Sequence, residues 1–77
     1  MTEVPFPPLD ETHPDTEGVL VTWYVADGET VATGQLLADV QVEKVDAEVT
    51  APTGGTIRLL AGEGSELRQG ALIARIE

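Results

Sequence analysis

The chain has no cysteine, one lysine, three arginines, one histidine and only three residues among Phe, Trp and Tyr in its 77 positions. Each shortage excludes something. Without cysteine, no disulfide or thiolate-bound metal can staple so small a fold, and apolar packing with sheet hydrogen bonding must hold it. Fourteen acids against four strong bases give a net charge of −10. That balance excludes nucleic acid and anionic membrane as partners, because phosphate recognition needs clustered Lys and Arg. No apolar run approaches membrane-spanning length. The first twenty residues carry Glu3, Asp10, Glu11, Asp15 and Glu17 and no base, unlike a secretory signal or a transit peptide. The expected location is the cytoplasm, or the mitochondrial matrix after removal of a leader. A chain of this length buries only about 60% of its unfolded surface. One domain spanning 1–77 is expected, monomeric and without a deep catalytic cleft.

What is present is a motif written twice. Gly28-Glu29-Thr30-Val31-x-x-Gly34-x-x-Leu37-Ala38-x-Val40 recurs as Gly64-Ser65-Glu66-Leu67-x-x-Gly70-x-x-Ile73-Ala74-x-Ile76. The offset is 36 residues, and it becomes 37 between the apolar segments that follow Gly18 and Gly55. The glycines interrupt every stretch long enough for three helical turns, each at a cost of about 1 kcal/mol inside a helix. Gly28 and Gly64 stand where tight turns need positive φ. Short runs of aliphatic and β-branched residues between them read as strands. Seven or eight strands are expected, near 3–7, 18–25, 29–32, 36–42, 45–51, 55–61, 65–68 and 71–77, and predict an all-β fold of paired antiparallel sheets with quasi-two-fold symmetry.

The segment Asp10-Glu11-Thr12-His13-Pro14-Asp15-Thr16-Glu17 is the one long polar loop. Pro14 and the acids keep it out of a ladder, and it is a candidate recognition loop. His13 beside Asp10, Asp15 and Glu17 resembles a metal-ligand set, but a lone histidine on a solvated loop is ordinarily no more than that. Trp23 and Tyr24 alternate along one strand, so one ring is expected inside and the other outside, with Trp23 as the core anchor.

Between the two copies the apolar residues fall at 36, 38, 40 and 42, then at 45, 47, 49 and 51. The parity reverses across Glu43-Lys44, as in a hairpin with a two-residue loop. If Val42 pairs with Val45, then 40 faces 47, 38 faces 49 and 36 faces 51, and all eight side chains point to one side. Lys44 then stands at the tip. Glu-Lys is a poor choice for such a turn, which favours Asn-Gly, Asp-Gly or other glycine-containing pairs. On the outer face Asp39 meets Glu48 and Gln41 meets Asp46, and like charges so placed are mildly destabilising. A recognition role for Asp39, Glu43, Asp46 and Glu48 therefore stands beside the reading that they are ordinary solvated positions. An exposed lysine amine is a modifiable nucleophile on a flexible stem, and this chain offers one.

These residues resemble the lipoyl/biotinyl attachment domains, most closely the lipoyl domain of 2-oxo acid dehydrogenase acyltransferases. The resemblance runs from Val4 to Glu77 and rests on Glu17-Gly18, Trp23, Gly28-Glu29-Thr30-Val31, Gly34, Leu37-Ala38, Val42-Glu43-Lys44-Val45 and Ala51-Pro52-Thr53-Gly54-Gly55. It implies a flattened β-barrel of two four-stranded sheets, with the termini at one end and the modified lysine at the other. It also implies lipoate in amide linkage to Lys44, hence a non-catalytic swinging-arm carrier of acyl groups. The implied partners are a thiamine-dependent 2-oxo acid decarboxylase, an acyltransferase core, a dihydrolipoamide dehydrogenase, and a lipoate ligase or lipoyl synthase. Glu43 and Val45 replace the Asp and Ala usual beside that lysine, and the loop from Asp10 to Glu17 departs from the glycine-containing family form.

Biotin carriers share the fold but typically carry Met on both sides of the lysine. An unmodified barrel of this kind serves elsewhere as an interaction module, where no lysine is needed at the tip. A hydrolytic reading of the pair Asp39 and Glu48 fails on a convex, wet surface with nothing to raise a carboxyl pKa.

Overall fold

A computed structural model describes residues 1–9, 12, 13 and 15–77, and every regular element among them is a β-strand. They are β1 (Thr2–Pro5), β2 (Glu17–Trp23), β3 (Thr30–Val31), β4 (Leu36–Val42), β5 (Val45–Thr50), β6 (Gly55–Leu59), β7 (Glu66–Arg68) and β8 (Leu72–Ile76). The eight expected strands are present, with every boundary within two residues. Two four-stranded antiparallel sheets form, in the orders β1-β8-β6-β3 and β5-β4-β2-β7. Their inner faces share one apolar core in which Phe6, Leu20, Leu37, Val40, Ile57 and Ile73 are fully buried, and no polar or charged residue among those described is buried with them. The molecule is elongated, 33 × 19 × 17 Å.

The internal repeat is carried into the hydrogen bonds. The Gly28 N–H donates to the Ile57 carbonyl and the Gly64 N–H to that of Leu20, both in turns where the glycine φ is positive, 86° and 83°. The acid before each glycine caps the other copy's strand. Asp27 accepts from the Leu59 N–H at 2.9 Å, and Glu63 accepts from the Trp23 N–H at 2.9 Å. Each half thus satisfies backbone donors of the other, so neither copy is complete alone. Under this symmetry β1 matches β5 and β8 matches β4. The lysine hairpin between β4 and β5 therefore corresponds to the point where β8 ends and β1 begins, and that is where the chain termini lie.

One expected pairing is wrong. Leu36 faces Thr50, not Ala51, because the ladder slips between Leu36 and Ala38. Ala51 instead exchanges hydrogen bonds with the loop before β4, donating to the Gln35 carbonyl and accepting from the Gly34 N–H. The slip turns Leu37 inward, where it is fully buried, and leaves Leu36 only half-buried. Nor do all eight alternating residues face the core, since Val45 is 49% exposed at the hairpin end, beyond the reach of the opposing sheet. The core's fully buried aromatic is Phe6. Trp23, expected as the anchor, is half-buried and packs against the core edge while its indole N–H donates to the Ala61 carbonyl at 2.8 Å.

Phe6 also explains a glycine. A Cβ on Gly18 would lie 2.4 Å from Phe6 Cζ, 2.7 Å from the Gln41 carbonyl oxygen and 2.7 Å from Val42 Cγ2. Only a residue without a side chain lets β2 lie this close to β4 and to the ring beneath. Since Phe6 follows β1 and packs at the hairpin end of β2, Thr2 and its partner Ile76 lie toward the other end.

Candidate functional site

The hairpin forms at the expected register. Val42 pairs with Val45, Gln41 with Asp46, Val40 with Ala47, Asp39 with Glu48 and Ala38 with Val49. Glu43 and Lys44 are the two loop residues, both exposed. Glu43 has φ 56° and Lys44 is not in the positive range. That is the sign pattern of a type II′ turn, whose first central position is normally glycine. For an L-residue with a Cβ the left-handed region costs about 1–2 kcal/mol. The tip is firmly founded beneath this strained residue, because Val40 and Val42 are buried and β4 is paired on both sides, with β5 and with β2. Among the described residues no side chain pairs with the Lys44 ammonium.

Below the tip, the outer face of β2, β4 and β5, expected to be convex, instead forms a shallow groove of about 320 Å³, edged by Val21, Asp39, Gln41, Asp46 and Glu48. Val45, Asp46 and Glu48 are exposed, while Asp39 is half-buried. Asp39 has a structural partner that was not expected: the Tyr24 hydroxyl donates to its Oδ2 at 2.5 Å. That bond, then partial desolvation, then the negative charges of Asp39 and Glu48, raise the phenol above its ordinary pKa. The tyrosine hydroxyl thus offsets part of the repulsion between the facing acids. Val21, 45% exposed, adds apolar surface to the acidic rim of the groove.

The polar loop returns to the hairpin end. Val19 pairs with Gln41 and Glu17 with Arg68, which sets the start of β2 between the tip of β4 and the end of β7. His13, Asp15 and Glu17 are exposed there, whereas Asp10 and Glu11 lie outside the described residues. The Gln69 side-chain amide donates to the carbonyls of His13 and Thr16, each at 3.1 Å. Sequence reasoning missed this residue, and only its place inside the second copy's Leu67-x-x-Gly70 turn, directly before the glycine, points to it. Among the described residues no three His, Asp or Glu side chains converge as metal ligands, and no helix is long and apolar enough to cross a membrane.

Comparison with known proteins agrees with this geometry. A family model described as "Biotin-requiring enzyme" matches residues 10–76. The dihydrolipoyllysine-residue acetyltransferase component of the pyruvate dehydrogenase complex of Corynebacterium glutamicum is 42% identical over 76 residues, 97% of this chain and 11% of that protein. The lipoamide acyltransferase component of the branched-chain alpha-keto acid dehydrogenase complex of Bacillus subtilis is 43% identical over 63 residues, 80% of this chain and 15% of that protein. The chain thus spans well under a fifth of the length of these relatives. The solution structure of the lipoyl domain of the 2-oxoglutarate dehydrogenase complex of Azotobacter vinelandii superposes with a TM-score of 0.81 at 27% identity, covering 100% of this chain and 96% of that one.

Proposed function

The chain belongs to the biotin- and lipoyl-attachment family, and on that premise we propose that Lys44 carries lipoate in amide linkage, as the swinging arm of a 2-oxo acid dehydrogenase complex. The observation that carries the reading is the position of Lys44, the sole lysine, exposed at the tip of a two-residue hairpin and away from the chain termini. Lys44 and its neighbours Glu43 and Val45 are all exposed. When attached, lipoate would supply a disulfide able to take up an acyl group together with two electrons. Everything else falls to the chain itself. A rigid double ladder holds the attachment point out, the four-carbon lysine stem lets the group sweep, and tethering raises its concentration at each partner site.

As a carrier the domain needs no catalytic residue, and the wet groove of Asp39, Asp46 and Glu48 offers no environment that would make one. The partners on this reading are a thiamine-dependent decarboxylase, an acyltransferase core, a dihydrolipoamide dehydrogenase and the enzyme that installs lipoate, working in the cytoplasm. Those that read the tip meet Glu43, Val45 and Asp46, with Glu17, Asp15 and His13 at one side. Lipoate is favoured over biotin by Glu43 and Val45 at the positions where biotin carriers typically have Met, and by the lipoyl-bearing relatives.

Intact-mass measurement after incubation with lipoate, ATP and a lipoate ligase tests this. One lipoyl addition is expected, absent in Lys44→Arg. A biotin addition instead would move the domain to the biotin carriers, and no addition with either would favour an unmodified interaction module.

A further inference from the structure

The internal repeat gives each outer sheet face a counterpart. Asp39 and Arg75 stand at the same place in the two copies, 36 residues apart, and each faces a glutamate on an edge strand, Glu48 or Glu3. Around Arg75 the charges are mixed: Glu77 Oε1 lies 3.5 Å from Arg58 Nε and 3.9 Å from Arg75 Nε. Around Asp39 they are of one sign. Among the described residues no basic side chain pairs with Asp39, Asp46 or Glu48, and only Asp39 receives a hydrogen bond, from the Tyr24 hydroxyl. The fold accepts balanced charge at this place, and the acids are left unbalanced only on the sheet that carries Lys44.

That same face holds the groove, and the groove begins at the tip. Gln41 and Asp46 form the pair next to Val42 and Val45, and Asp39 and Glu48 lie two pairs further along the ladder. At the rise of a strand, Asp46 and Glu48 are about 7 and 14 Å from Lys44. A lysine stem extended by lipoate runs through about a dozen bonds from Cα to sulfur, ~14 Å when extended. The arm and the groove therefore match in length. Tethering selects this occupant, because an open, shallow groove has little affinity for a molecule free in solution, whereas a group held within its length is present at a roughly millimolar effective concentration.

The lining fits one state of that group better than the other. Val21 and Ala47 offer apolar contact to its carbon chain in either state. Ionised carboxylates only accept hydrogen bonds; a closed disulfide has no donor for them, whereas a dithiol has two S–H donors. Negative charge at close range also opposes ionisation of a thiol. We propose that the groove bounded by Asp39, Gln41, Asp46 and Glu48 is a docking place for the arm on Lys44 in its dithiol state, an inference that rests on the lipoyl-carrier reading above. Asp46 and Glu48 accept from the thiols and keep them protonated, which slows disulfide exchange with other molecules while the arm is between partners. The contact is weak and reversible, as S–H donors are, and the disulfide state is left to sweep.

Conversion of Lys44 to its lipoyl form is checked first by intact mass, and failure there is a failure of the proposed function, seen before the groove is tested. The lipoylated 77-residue chain is then compared by backbone amide NMR in its disulfide state and after reduction with a phosphine that is afterwards removed. The amide signals of Asp39, Gln41, Asp46 and Glu48 should move on reduction, and those of Arg58 and Arg75 should not. The chain has no cysteine, so iodoacetamide reads the thiols of the arm alone. Two carboxylates about 7 Å away raise a thiol pKa by roughly half a unit in salted water. Alkylation at ~pH 8 should therefore run about threefold slower than for free dihydrolipoamide. Asp46→Asn with Glu48→Gln should restore most of the free rate and abolish the amide shifts. Glu3→Gln with Glu29→Gln removes the same charge from β1 and from the residue before β3, and should change neither. Amide changes confined to residues 43–45, alkylation of the parent at the free rate, or equal acceleration by both variant pairs would each overturn the proposal.

Discussion

Glu43→Gly should make the protein more stable while altering the residue next to the site of modification. Glu43 is held at φ 56°, in the left-handed region at the first central position of its turn. Relief of that conformation is worth about 1–2 kcal/mol. Glycine gives back about 0.4–1 kcal/mol through the greater freedom of the unfolded chain. The net expectation is a gain of about 0.5–1 kcal/mol, or a rise in Tm of roughly 2–8 °C for a domain of this size. Glu43→Ala is the control, because it removes the carboxylate and keeps the left-handed strain. Thermal unfolding is followed by the fluorescence of Trp23, the sole tryptophan, whose indole bond to Ala61 spans the two repeat copies. If Glu43→Gly proves no more stable than Glu43→Ala, the strain assigned to the tip is refuted.

Gly18→Ala should destabilise by about 2–4 kcal/mol, the overpacking range extended by the clash with the Gln41 backbone, and Phe6→Leu in the same chain should recover only part of it; denaturant titration of the two singles and the double gives the coupling. The chain has one tyrosine, so ultraviolet titration reads Tyr24 alone, and its midpoint should lie above the ordinary value and return toward it in Asp39→Asn. The folded state holds that proton more tightly than the unfolded chain, so the contribution is complete below the ordinary phenol pKa. It is lost as pH rises through the raised one, and stability should fall with pH across that window more steeply in the parent than in Asp39→Asn.

How far the sequence disclosed this fold depends on which physical signal each element carries. The repeat offset located the strands, and the positive-φ glycines at 28 and 64 recur where the motif put them, because turn chemistry is local. The hairpin register from Ala38 to Val49 was legible for the same kind of reason, since alternation in two facing strands admits one pairing. It fails at Leu36, where a bulge shifts the ladder. A bulge changes parity through backbone geometry that Leu36-Leu37 does not encode, as either leucine satisfies an apolar position. Alternation along β2 marks Trp23 as the inward ring but carries no signal for Phe6, whose place against Gly18 is set by the packing of β1 onto the other sheet. The Tyr24 bond to Asp39 and the Gln69 bonds to His13 and Thr16 join residues 15 and more than fifty positions apart. No local pattern marks such pairs, and they require the sheets to be assembled first.

The central claim is that position at the hairpin tip, and not mere exposure of an amine, makes Lys44 the attachment site. The double variant Lys44→Arg with Arg58→Lys keeps one lysine and the same net charge, and moves the amine from the turn to an exposed place on the flat face of β6. Incubated with lipoate, ATP and ligase and weighed intact, it should remain unmodified under conditions that convert the parent fully. Lipoylation at position 58 at a rate near that of the parent would contradict the account.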